Sequence, residues 1–317
     1  MFFTTNRPNP ESENTDVIRV LNEFIAGERN AVAVRLLSDL DRPSVRPAKD
    51  LWLQIPTDVR LFVTRQMLDQ AETNVQLDFS RMFTIALDDP DDEVRTLAIQ
   101  GLWEDESTAQ LDRFLSMLEF EAEPTVRAAI VEALGAFTYR AALEELDEGP
   151  AQRLRSVLLD IFAADEPVAV RKRALESVAY FQNDLDVEDA IDEAYESDYQ
   201  DLRIGAIFAM GRNLSARWFD LLLNEMQDED PEVRFEATRA IGLFGDERAV
   251  SLLLDLLDDE DREVQLAAIG SLGEIGGTVA IGTLRRIVRS DDSVVSDAAG
   301  EALTQATIST DPLRLDR

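Results

Sequence analysis

The sequence predicts an all-α protein, an α-solenoid of stacked antiparallel helix pairs, and three observations predict it. A unit of nearly constant length recurs along most of the chain, the apolar residues inside each unit follow helical spacing, and acidic or proline residues stand where helices would begin. Composition sets the frame. The 317 residues carry 64 Asp and Glu against 31 Lys and Arg, a net charge of −33, with no histidine and no cysteine, yet 45% are hydrophobic. A core can therefore be buried. Disulfides, thiol nucleophiles, Ser-His-Asp triads and the usual zinc sites are excluded. Neither an N-terminal apolar run of the signal-peptide kind nor a stretch of ~18 apolar residues occurs, which predicts a cytoplasmic protein with no membrane segment.

The elements follow in order. Residues 1–13 are expected as a tail. Residues 14–74 read as a degenerate helical cap, with helical spacing over 15–26, 30–40, 47–55 and 57–69; Val59-Arg60 with Val63 and Met67 is a faint copy of the unit to come. Residues 75–306 form the array, anchored on Val94, Val126, Val170, Leu202, Val233, Val264 and Val295 at steps of 32, 44, 32, 31, 31 and 31 residues. Four positions after each anchor stand Ala98, Ile130, Ala174, Ala206, Ala237, Ala268 and Ala299, and eight after stand Leu102, Leu134, Val178, Met210, Ile241, Leu272 and Leu303. That spacing puts all three on one stripe of the second helix of each unit. Upstream segments such as 218–223 and 250–257 supply the first helices. The long step implies an insertion near 139–150, ended by Gly149-Pro150 and followed by a helix over 153–162. Residues 307–317 are a second expected tail.

Helix boundaries have chemical reasons. Asp91, Asp230, Asp261 and Asp292 lie three residues before their anchors, where a carboxylate accepts from free backbone N–H groups. Pro124 and Pro231 suit a first helical position. Gly135, Gly211, Gly242 and Gly273, just past the stripe, are expected as helix ends.

The segment Asp230-Pro231-Glu232-Val233-Arg234 with Ala237, Ala240, Ile241 and Gly242 resembles the HEAT repeat in its short, phycobilisome-lyase-like bacterial form. The resemblance implies a right-handed superhelix with the second helices on the concave face. It also implies that an Asp and the Arg after the anchor bridge neighbouring repeats. Arg95, Arg127, Arg171, Arg203 and Arg234 match that Arg, whereas Gln265 and Ser296 do not, so the ladder should stop toward the C-terminus.

The acidic runs at 88–93, 228–230 and 258–261 lack the spacing of a calcium loop and recur where caps are needed, so no metal is expected. The glycines at 270, 273, 276 and 277 follow a helix and not a strand, unlike a phosphate cradle. Di-iron hydroxylases of the deoxyhypusine type, built on similar repeats, use His-Glu pairs that this chain cannot supply. A bilin lyase or other cofactor-handling accessory is the alternative to a non-enzymatic scaffold or adaptor. No cofactor is expected, and nucleic acid is a poor partner for so negative a chain.

The candidate site is a protein-binding patch. Positions two and six after the anchor point away from the core stripe. In three consecutive repeats these include Ile204, Phe208, Phe235, Arg239 and Leu266, an apolar patch beside an arginine. A protein partner is expected, with the net charge favouring one that carries a basic segment.

Overall fold

The computed structural model describes residues 10–310 and divides into two units, one ending at Phe137 and the other beginning at Thr138. Eighteen α-helices and no strands are found among the described residues. The first unit contains α1 (Pro10–Ile25), α2 (Ala31–Val34), α3 (Arg42–Trp52), α4 (Thr57–Thr73), α5 (Ser80–Ala86), α6 (Asp92–Gln100) and α7 (Thr108–Leu118). The division falls inside α8 (Pro124–Ala142). The second unit continues with α9 (Glu148–Ala163), α10 (Val168–Val178), α11 (Leu185–Tyr195), α12 (Gln200–Asn213), α13 (Phe219–Glu225) and α14 (Pro231–Leu243), then α15 (Val250–Asp255), α16 (Arg262–Ile275), α17 (Gly277–Ile287) and α18 (Ser293–Thr310).

Every anchor opens a second helix. The first six anchors and all seven residues four positions on are buried, which places the core stripe where the spacing predicts it. In α18 the stripe drifts: Val295 and Leu303 are half-buried, and Ala299, Ala302 and Ala306 face inward instead. In the second unit α10, α12, α14, α16 and α18 pack side by side, and α9, α11, α13, α15 and α17 each pack on the second helix that follows.

The acidic runs divide into two jobs. Asp91, Asp230, Asp261 and Asp292 cap α6, α14, α16 and α18, accepting backbone N–H bonds of 2.9–3.3 Å. Carboxylates two residues earlier belong to the arginine ladder. Arg60 donates to Asp89 at 2.7 and 3.1 Å, Arg95 to Glu121 at 2.9 and 3.0 Å, and Arg234 to Asp259 at 3.0 and 2.8 Å. Arg203 reaches Asp228 at 2.9 Å and Glu225 at 2.5 Å. Burial pulls the Asp259 carboxyl upward, but the hydrogen bond from Arg234, the one from the Asp261 backbone N–H and the charge of Arg234 together hold it below the usual carboxylate range. Gln265 and Ser296 reach only a backbone carbonyl, of Asp259 and Val288, so the bridging stops there. Arg60, in the stretch read as a degenerate cap, makes a more buried rung than Arg95 or Arg234: its side chain is 5% exposed and that of Asp89 0%. Thus α3 and α4, which pack on α5 and α6 respectively, are tied to the next pair by the same device as the later repeats.

Three boundaries differ from the sequence reading. Gly135, Gly211, Gly242 and Gly273 lie inside their helices rather than ending them. A Cβ on Gly211 would sit 2.7 Å from the Cα of Ala240, on Gly242 2.6 Å from Ser271 Oγ, and on Gly273 2.8 Å from the Cα of Ala302. These glycines let adjacent second helices approach, and the helix ends fall one or two residues later. The insertion near 139–150 is mostly helix, since α8 runs to Ala142 and Gly149-Pro150 lie in the first turn of α9; proline needs no N–H there. Of the expected tails, 10–13 open α1 and 307–310 end α18, while 1–9 and 311–317 lie outside the described residues.

Candidate protein-binding groove

Four of the five patch residues come together. Phe208 on α12, Phe235 and Arg239 on α14, and Leu266 on α16 line one cavity of about 330 Å³ in the second unit. The two phenylalanines and Leu266 are half-buried and Arg239 is exposed. Ile204 does not join them: it is 3% exposed and absent from the cavity wall. Position two points outward on an isolated helix, but α12 has α10 on one flank and α14 on the other. The Lys172 side chain of α10 crosses α12 at the neighbouring Gly205. Flanking helices thus enclose a residue that a single-helix projection leaves open.

The sequence reading missed the ends of the groove. A second cavity of about 690 Å³, lined by Tyr139, Tyr180 and Leu214 among others, shares Arg212 and Leu243 with the first. Arg212 and Leu243 stand ten residues after their anchors, one helical turn beyond Phe208 and Arg239. Extending the stripe from positions two and six to ten would have found both.

Arginines sit on aromatic faces throughout the groove. The Arg239 guanidinium lies 5.5 Å from the Phe235 ring, and that of Arg212 lies 5.1 Å from Phe208 and 5.5 Å from Tyr180. Tyr180 in turn meets Tyr139 edge-on at 5.4 Å. Arg239 approaches Glu236 at 3.6 Å. Burial pushes the Glu236 carboxyl above the usual carboxylate range, opposed by Arg239 and reinforced by Glu176. Among the described residues no group of three His, Cys, Asp or Glu side chains is placed to hold a metal ion. No described helix is long and apolar enough to cross a membrane.

The model described as HEAT repeats matches residues 80–157 and 219–304, just over half of the chain. This chain belongs to the HEAT-repeat family. No curated protein matches it. Among solved structures, this HEAT-repeat protein is similar to the complex of CpcE and CpcF of phycocyanin lyase from Nostoc sp. PCC7120, with a TM-score of 0.51 at 18% identity over 73% of this chain and 88% of that one. It is also similar to yeast importin-β (Kap95p), with a TM-score of 0.52 at 14% identity over 96% of this chain and 48% of that one. Kap95p bound to RanGDP gives a TM-score of 0.53 at 13% identity, over 96% of this chain and 47% of that one. These are likenesses of fold; the repeat array spans about half the length of importin-β.

The HEAT hairpins carry one further mark at the groove. Among the described residues four non-glycine residues have positive φ, and three of them, Glu144, Asn183 and Leu214, line the second cavity. The positions corresponding to Leu214 in the next two repeats are Gly245 and Gly276, which adopt φ of 64° and 66° without a Cβ penalty. Leu214 holds φ 60° with its side chain 39% exposed, an arrangement that costs stability. Leu214→Gly is expected to raise the free energy of unfolding by about 0.5–1 kcal/mol. Urea unfolding followed by circular dichroism checks this, and an unchanged or lower midpoint would show that the side chain stabilises the turn.

Proposed function

We propose that this HEAT-repeat protein is a non-enzymatic scaffold that holds an extended segment of a protein partner in the groove along α12, α14 and α16. The observation that carries the reading is the meeting of Phe208, Phe235 and Leu266 in one cavity flanked by two ring-stacked arginines. Aromatic and arginine side chains around an apolar depression are the usual content of a binding hot spot. Two structural neighbours are known in protein complexes, CpcE with CpcF and Kap95p with RanGDP, which supports the fold's suitability for the task.

The net charge of −33 adds long-range attraction for a partner whose surface is basic, acting mainly on the association rate. That attraction does not describe the first cavity itself, where Arg212 and Arg239 stand beside Glu236 and Glu274.

The test is affinity capture from the source cell with wild-type protein and the Phe208→Ala, Phe235→Asp double variant as bait. Wild type should retain a defined set of proteins that the variant loses at least tenfold, while the thermal midpoint moves by only a few degrees. Retention of the same proteins by a folded variant would remove the groove from the function.

A further inference from the structure

Arg212 is the unusual side chain of the groove. It makes no hydrogen bond or ion pair among the described residues; its cation rests only on the rings of Phe208 and Tyr180, and its Nε is buried with no acceptor. The ladder arginines of the second unit, half-buried Arg203 and buried Arg234, each have carboxylate partners. A buried donor without an acceptor costs roughly 1–3 kcal/mol, and in a chain with twice as many acids as bases an acceptor is easy to supply. Glu236 and Glu274 line the first cavity and Glu144 the second, yet none of them accepts a hydrogen bond from Arg212.

A guanidinium fixed between two rings keeps its N–H edge in plane, the edge that a carboxylate engages with two parallel bonds. Arg239 offers no such opening, because Glu236 already lies beside it. The same first cavity is lined by Phe235 and Leu266, which give it an apolar surface in addition to Arg212.

We infer that the groove recognises a partner segment carrying an Asp or Glu side chain next to an aromatic or aliphatic one, the carboxylate seated on Arg212 and the apolar side chain between Phe235 and Leu266. The inference rests on the groove being the partner site and specifies the chemistry of what enters it.

The test is selection of a displayed random dodecapeptide library on the full chain, followed by affinity measurement of the enriched peptides by fluorescence anisotropy. Enriched sequences should share an acidic residue within about three positions of an aromatic or aliphatic one. Replacing that acid by its amide should weaken binding at least tenfold, and Arg212→Leu should do the same while abolishing the preference for acid over amide. Arg212→Lys, which keeps the charge without the planar fork, should recover only part of the loss. Enriched peptides that need Phe235 but bind equally well as acid or amide would overturn the carboxylate assignment and leave the groove as a partner site. Peptides indifferent to Phe235→Asp, or no enrichment at all, would overturn both. Enrichment only on a chain ending at Thr310 would make the chain's own C-terminal segment the occupant. A dimer in sedimentation that Phe235→Asp dissociates would make it a second copy. Either result would overturn the partner assignment.

Discussion

Asp89→Ala is expected to destabilise the N-terminal unit by about 3–5 kcal/mol, the largest effect of any single ion-pair change in the chain. Asp89 accepts from Arg60 Nε at 2.7 Å, Arg60 Nη2 at 3.1 Å, Trp52 Nε1 at 2.7 Å and the backbone N–H of Asp91 at 3.0 Å. Removing it strands a guanidinium whose side chain is 5% exposed, together with a buried indole N–H. The remaining bonds of Arg60, to the Ile55 carbonyl and the Thr57 hydroxyl, do not neutralise its charge. The control is Arg29→Ala, which breaks a pair of the same chemistry with Asp58 in the same unit, at 52% and 66% exposure, and should change stability only within the range of surface pairs. Urea unfolding monitored by Trp52 fluorescence in a background lacking the other tryptophans reads the first unit by itself. Equal effects of the two substitutions would mean that the ladder's burial has no energetic consequence.

Gly211→Ala and Gly273→Ala are each expected to destabilise the second unit by about 1–3 kcal/mol, although glycine to alanine inside a helix ordinarily stabilises. The new methyl would lie 2.7 Å from the Cα of Ala240 in the first case and 2.8 Å from the Cα and carbonyl oxygen of Ala302 in the second. These are backbone atoms of a neighbouring helix, so relief requires the helices to separate. Gly300→Ala supplies the comparison: it lies within α18 with nothing within 4 Å of the added carbon, and should stabilise by about 0.5–1 kcal/mol. Thermal unfolding by calorimetry of the three variants decides the matter. A stabilised Gly211→Ala variant would show that the helices can part at no cost.

The repeat was legible because its code is local. Anchor, four and eight recur on one chain segment, so the helical period alone locates the buried stripe from Val94 to Leu272, and the capping aspartates announce themselves by distance from the anchor. The ladder was legible in part. Arg95, Arg127, Arg171, Arg203 and Arg234 carry the signature, but Arg60 stands in only a faint copy, Val59-Arg60 with Val63 and Met67, because the repeat around it lacks the small residues of later copies. The glycines were misread since a glycine near a helix end is ambiguous along the chain, and only the adjacent helix shows that it is needed for close approach.

The groove shows the same division. Spacing on single helices brought Phe208, Phe235, Arg239 and Leu266 to one face, because their directions are set by helix geometry within each repeat. Ile204 was lost from that face and Arg212 gained, because enclosure depends on the flanking helices and on where two cavities meet. The sequence by itself determined the helices, their core faces and the sites of their caps, all of which follow from contacts a few residues apart. Only the tertiary structure decided which outward residues stay open and which arginine is left without a carboxylate, since burial and pairing there are made by side chains some thirty residues apart, on separate helices.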